Sequence, residues 1–229
     1  MMQGRVYFYA VSAVLMWSTT AALVKSLLTA IPTYEALFVS SLAGALFLIV
    51  MQLVRDGGRV FRAYDMRGYA AMAGLGFLGI FLYSGLYYYG LSQLTSQEAC
   101  ILNFLWPMMI VLFAAFLLGE RITVRTAAAL LLSFSGVVAL TLGGEGSAEG
   151  NGMLGAAACI LGALCYGLFC VLNKRRNLDQ TVMMVVAWGV TALCSLPVTL
   201  IMEEWVTLSW MQWGGLLWLG IFIDAVGYL

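Results

Sequence analysis

The stretch WLGIFIDAVGY, residues 218–228, repeats the core letters LGIF of FLGIFLYSGLY, residues 77–87. In that register Tyr83 pairs with Asp224 and Tyr87 with Tyr228. Four shared letters say little in a chain that is 63% hydrophobic, so a second correspondence is needed. Trp17 precedes Lys25 by eight residues, and Tyr166 precedes Lys174 by eight. The two offsets, 141 and 149, agree if the link RDGGRVFRAYDMR (55–67) exceeds its counterpart by about eight residues, and EEWVTLSW (203–210) is indeed shorter.

Both copies of LGIF lie in apolar runs. Only 10% of the residues are charged, against about a quarter in soluble globular chains, so the protein belongs in a membrane. Its 229 residues leave no length for a soluble domain of ordinary size beside the apolar runs. There is no histidine, and Cys100, Cys159, Cys165, Cys170 and Cys194 form no CxxC pair; they read as small apolar packing residues. No metal site or cofactor is expected, and no GxxxxGK[ST] loop is present to make the chain its own ATP-driven motor. The N-terminal run after Arg5 exceeds the usual signal-peptide length of roughly 7–15 residues, so it reads as a retained first helix.

Spans of roughly 20 apolar residues fit at 6–28, 33–54, 68–90, 97–118, 124–143, 153–173, 181–202 and 211–229. Alternation across the bilayer then puts ten of the eleven basic residues on one side: Arg5, the arginines of 55–67, Arg121, Arg125 and Lys174–Arg176. That side is the expected cytoplasmic one, with the N-terminus on it. Lys25 is the exception, near the outer end of the first span, where it is expected to snorkel beside Glu35 and Glu98 in an outer-end charge cluster. The basic residues are an ordinary cytoplasmic rim and give no support for nucleic-acid binding.

If span 6 repeats span 1 and span 8 repeats span 3, the unit of repetition has five helices. An odd number turns the second copy upside down, the plan of secondary transporters whose substrate sites lie near the midplane. The copies are expected at 1–143 and 153–229, the second with three spans, joined by the glycine-rich linker 144–152. Trp17 and Tyr166 fall roughly 17–20 Å along their spans, near the middle of a core about 30 Å thick. Asp224 is the sharpest residue: a carboxylate at that depth is costly and commonly serves an ion, a proton or a substrate amine.

Span 4 contains LNFLWPMMIVLFAAFLLGERIT (102–123). Pro107 removes a helical hydrogen bond and clashes with the carbonyl of Asn103, so a kink is expected there, with Asn103 and Trp106 offering polar groups beside it. Gly119 ends the helix, and Glu120 is expected to pair with an arginine at the surface.

The stretch YYYGLSQLTSQEACILNFLWPMMIVLFAAFLLGERIT (87–123) resembles the helix 3 to helix 4 region of the drug/metabolite transporter superfamily, EamA branch, and ILNFLWP is similar to the aromatic amino acid exporters within it. The resemblance implies an all-α fold of two inverted five-helix copies, ten helices in all. Against it this chain shows eight spans and is expected to lack the last two, either as a fragment of a ten-helix transporter, the favoured expectation, or as a short protein that gains its last helices by association. It also implies a central cavity lined by Trp17, Tyr83, Tyr87, Asn103, Trp106, Tyr166 and Asp224. The second helix departs from the pattern: PTYEALFVSS (32–41) has Glu35 and serines where the family often has an arginine.

The expected function is export of amino acids, aromatic or bulky apolar, or related small metabolites across the inner membrane by alternating access, with protons as a coupling partner left open. The alternatives are efflux of lipophilic cations, served by Asp224 and the aromatics, and a non-transporting membrane scaffold. Phosphorylated substrates would want a basic cavity, which one non-cytoplasmic lysine does not make. Hydrolytic chemistry lacks its residues: no histidine and one deep aspartate argue against an intramembrane enzyme.

Overall fold

The computed structural model describes residues 2–143 and 151–228. Most of the expected linker, residues 144–150, and Leu229 lie outside the described residues. The apolar stretches are helical: α1 (Met2–Ser18), α2 (Thr20–Leu27), α3 (Thr33–Asp56), α4 (Met66–Gly76), α5 (Tyr83–Gln93), α6 (Ser96–Asn103), α7 (Trp106–Leu118), α8 (Val124–Gly143), α9 (Gly152–Arg176), α10 (Gln180–Met202) and α11 (Trp210–Leu217). Among the described residues five helical stretches are each long and apolar enough to cross a bilayer: Thr33–Asp56, Met66–Gln93, Ser96–Leu118, Gly152–Arg176 and Gln180–Met202. Leu46, Val50 and Val54 on α3, Phe116 on α7 and Leu193 and Leu200 on α10 stand exposed, as side chains facing lipid do.

Three expected single helices are segmented instead. The first span breaks at Thr19 between α1 and α2, where the Ser18 hydroxyl donates to Leu15 O (2.8 Å) and the Thr19 hydroxyl to Met16 O (2.7 Å). Such side-chain bonds compete with the helical ladder. The eighth span runs as α11, a π-helical segment (Trp218–Ala225) and a 3₁₀ turn (Val226–Tyr228). The third span has the same interruption, with a π-helical segment (Phe77–Leu82) between α4 and α5. Both copies of LGIF therefore sit in i→i+5 turns, a rare geometry that gathers at functional sites.

The chain divides into two compact units, residues 1–77 with 178–229, and residues 78–177. Each combines helices from both sequence copies. In the first unit α3 is the centre, packed on α10 and on the π segment of the eighth span. A Cβ added to Gly44 would lie 2.7 Å from Gly220 O, so the two backbones touch there through small residues. Reciprocal carboxylates close one end of this unit. Glu203 Oε2 accepts from Tyr34 N (3.0 Å) and Glu35 N (3.1 Å), and Glu35 Oε2 accepts from Val206 N (3.0 Å). At the other end the Tyr64 hydroxyl accepts from Asp179 N (2.9 Å).

In the second unit α9 is the centre, packed against α5, α6 and α7. Its glycines make that possible: a Cβ on Gly155 would lie 2.8 Å from Gln93 Cβ, and one on Gly167 would meet Met109 Cβ at 2.5 Å. Thr95 and Glu98 form a capping box at the start of α6. Gly119, at φ 69°, closes α7 in the left-handed conformation that a residue with a Cβ resists. Beyond it Glu120 pairs with Lys174 at 2.8 Å rather than with an arginine. Arg121 is adjacent in sequence, but the end of α9 brings Lys174 to the end of α7, and packing outranks proximity along the chain.

Candidate functional site

The polar and aromatic residues expected at mid-span fall into two groups, one in each unit. In the second unit the break before Pro107 organises the group. The fourth span stops at Asn103 and resumes at Trp106, with Pro107 in the first turn of α7, where its missing N–H leaves no helical bond unmade. The interruption turns Asn103 and Trp106 toward α5 and α9. Asn103 Nδ2 donates to the Tyr83 hydroxyl (3.2 Å), while its Oδ1 is buried without a hydrogen-bond partner.

Around that amide stands an aromatic cluster. Tyr166 lies 4.8 Å from Tyr83 between ring centroids and 5.4 Å from Trp106, the latter edge-to-face at 87°. Tyr83 stacks on Tyr87 at 6.1 Å with planes 2° apart, and Phe169 flanks Tyr166 at 5.9 Å. These spacings lie within the 4.5–7 Å range in which aromatic pairs attract beyond simple burial. Five residues singled out in the sequence, Tyr83, Tyr87, Asn103, Trp106 and Tyr166, are thus brought together. Phe169 was not foreseen, though it stands three residues beyond Tyr166 on the same helical face.

In the first unit Asp224 lies on the π segment of the eighth span, 7% exposed, with Oδ2 lacking any hydrogen-bond partner. A Cβ on Gly44 would come within 3.3 Å of Asp224 Cβ, so α3 holds the residue against its backbone. Trp17 meets the ring of Tyr228 at 5.7 Å, and Trp188 meets the same ring edge-to-face at 6.1 Å. Trp188 was not anticipated: the repeat assigns it no aromatic counterpart, and its only sequence signal is a lone indole midway along α10. The break in the first span is braced by Trp218, whose Nε1 donates to the Thr19 hydroxyl (3.2 Å).

The three residues expected as an outer-end charge cluster are described one by one. Glu35 is fully buried at the start of α3, with one oxygen bonded to Val206 N and Oε1 unpartnered. Glu98 belongs to the other unit, where its carboxylate accepts from the Thr95 hydroxyl (2.8 Å) and Thr95 N (3.0 Å). Lys25 is half-buried in the last turn of α2. Among the described residues no group of three or more His, Cys, Asp or Glu side chains gathers to hold a metal ion.

Residues 4–142 match the EamA-like transporter family. Over 169 residues the chain is 32% identical to the aromatic amino acid exporter YddG of Ancylobacter novellus, an alignment covering 72% of this chain and 56% of that one. It is 33% identical over 113 residues to the pseudopaline exporter CntI of Pseudomonas aeruginosa, covering 49% and 38% respectively. The matched region thus spans 56% or less of either exporter's length. A solved crystal structure, 26% identical, aligns with a TM-score of 0.74 over 96% of this chain and 76% of its own. The chain is a multi-pass membrane protein and belongs to the EamA-like transporter family.

Proposed function

We propose that the protein exports amino acids with aromatic or bulky apolar side chains across the inner membrane, with its N-terminus cytoplasmic, by alternating access. The observation that carries this reading is the aromatic cluster of the second unit. Tyr83, Trp106 and Tyr166 offer faces and edges to a substrate ring, and Asn103 stands beside them with a buried acceptor unused by the protein. Rings bind well to such faces, and an ammonium supplies the hydrogen bond that Oδ1 lacks. The relative whose name specifies aromatic amino acids supports the same substrate class.

Asp224 favours a second reading, efflux of lipophilic cations, because a buried carboxylate on the eighth span suits a cation as well as an amine or a proton. Counterflow in proteoliposomes separates the two. Radiolabelled phenylalanine and leucine, with a lipophilic cation in parallel, are offered to the protein and to its Tyr166→Ala and Trp106→Ala variants. Exchange of phenylalanine, lost in both variants while they remain folded, is the expected result. Cation exchange without amino-acid exchange would move the assignment to drug efflux, and silence with all three substrates would leave a non-transporting scaffold.

A further inference from the structure

Asp224 is buried, and its Oδ2 has no hydrogen-bond partner. The wall against it is backbone. A Cβ on Gly44 of α3 would lie 3.3 Å from Asp224 Cβ and 2.7 Å from Gly220 O, and a Cβ on Gly220 would lie 3.0 Å from Gly44 N. Chains that close admit no water between them at this contact. The neighbouring hydroxyls of α3 are engaged elsewhere: Ser40 and Ser41 are fully buried, and both donate to Leu37 O, at 3.4 and 2.6 Å.

The basic residues of the first unit stand at other levels. The elements packed on the π segment are α1, α3, α11 and the 3₁₀ turn. Their charged or titratable residues are Arg5, Tyr7 and Tyr9 on α1, Tyr34, Glu35, Arg55 and Asp56 on α3, and Tyr228 in the turn; α11 has none. Arg55 is eleven residues from Gly44, and Arg5 is twelve from Trp17, the α1 residue that meets Tyr228; these are roughly 16–18 Å of helix. Arg59, Arg62 and Arg67 follow Arg55 beyond the end of α3. Lys25 belongs to α2, whose Leu23 and Leu27 lie against Gly215, nine residues before Asp224. Tyr228 is a phenol and brings no cation. A buried carboxylate without water or counter-charge is costly, and the neutral acid is the form such a surround holds.

We propose that Asp224 is the residue through which transport is coupled to protons. Its carboxyl holds a proton while α3 is packed on the π-helical turn. When the two part, water reaches the acid, the O–H bond breaks, and the proton leaves to the water of that side. Repacking needs a proton back, taken from the side then open, so that substrate and proton exchange across the membrane. The contact suits such a cycle, because Gly44 and Gly220 have no side chains to interlock and the i→i+5 turn is itself a geometry found at functional sites. This role rests on the exporter reading and adds its driving force; the substrate ammonium stays with Asn103.

The test uses proteoliposomes with an acid lumen, held at zero membrane potential with potassium and valinomycin. The unsubstituted protein should concentrate radiolabelled phenylalanine in the lumen as protons leave, up to about tenfold per pH unit for one proton per substrate. In Asp224→Asn, which stays neutral, accumulation should vanish, and counterflow of phenylalanine should no longer respond to pH. Where Asp224→Asn does not fold, infrared spectra of the unsubstituted protein with 13C-labelled aspartate read the proton directly. Asp56, Asp65 and Asp179 lie at helix ends, where each accepts a backbone N–H, so a protonated-carboxyl band at neutral pH belongs to Asp224, the buried aspartate. Absence of that band, accumulation in Asp224→Asn equal to the parent's, or phenylalanine exchange by the parent without accumulation under the gradient each overturns the proton role while the exporter reading stands. A parent that exchanges no phenylalanine overturns both.

Discussion

Gly220→Ala is the most informative single change to the scaffold. The added Cβ would fall 2.9 Å from Ala43 Cβ and 3.0 Å from Gly44 N, and closer still to the carbonyl oxygen of Ser40. Two of these are backbone atoms of α3, which no rotamer change can move aside. Forcing one extra carbon into such a contact costs about 1–3 kcal/mol, against which alanine regains roughly 0.5–1 kcal/mol of helix propensity. The net loss is of the order of 1–2 kcal/mol, or a few degrees in melting temperature at ~2–4 °C per kcal/mol for a chain of this size. Gly214→Ala, in the same span with nothing within 4 Å of its Cβ, is the matched control and should melt at or slightly above the parent. Thermal unfolding in detergent, followed by tryptophan fluorescence, measures both. If Gly220→Ala melts no lower than Gly214→Ala, the close approach of α3 to the eighth span is not what holds the first unit together.

Glu203→Ala removes the carboxylate that takes the N–H groups of Tyr34 and Glu35; the melt should show a loss of about 1–2 kcal/mol, with Glu203→Gln intermediate. Lys174→Ala breaks an ion pair whose side chains are 67% and 51% exposed, so stability should change by less than about 1 kcal/mol, and raising the salt concentration should abolish even that difference. Asn103→Leu deprives the Tyr83 hydroxyl of its donor and removes the buried Oδ1; phenylalanine affinity in equilibrium binding should fall roughly five- to tenfold with the melting temperature little changed.

The positions of the helices were legible because apolar length is a coarse property that loops and charges bracket clearly: α3, α9 and α10 end within three residues of the expected bounds. The break before Pro107 was legible too, since a missing N–H leaves the chain few choices. The break at Thr19 was not. Serine and threonine back-bonds are common inside membrane helices, and only the indole of Trp218, 199 residues away, marks this one. For the same reason Lys174 was overlooked as the partner of Glu120, and Trp188 as a neighbour of Tyr228: each depends on which helix lies alongside. The residues of the aromatic cluster were singled out by the repeat, by the neighbourhood of Pro107 and by the family resemblance, but none of these says which ring meets which.

The two π-helical turns bear on how the side chains around them are aimed. An i→i+5 turn holds one residue more than the helical turn it replaces, and that residue rotates everything beyond it by about 100°. Both copies of LGIF carry it, at Phe77–Leu82 and Trp218–Ala225. The irregular turn thus recurs at the same letters of the two expected copies, with Tyr83 just beyond the first turn and Asp224 within the second, so each of these side chains is aimed by a turn that an unbroken α-helix would not supply.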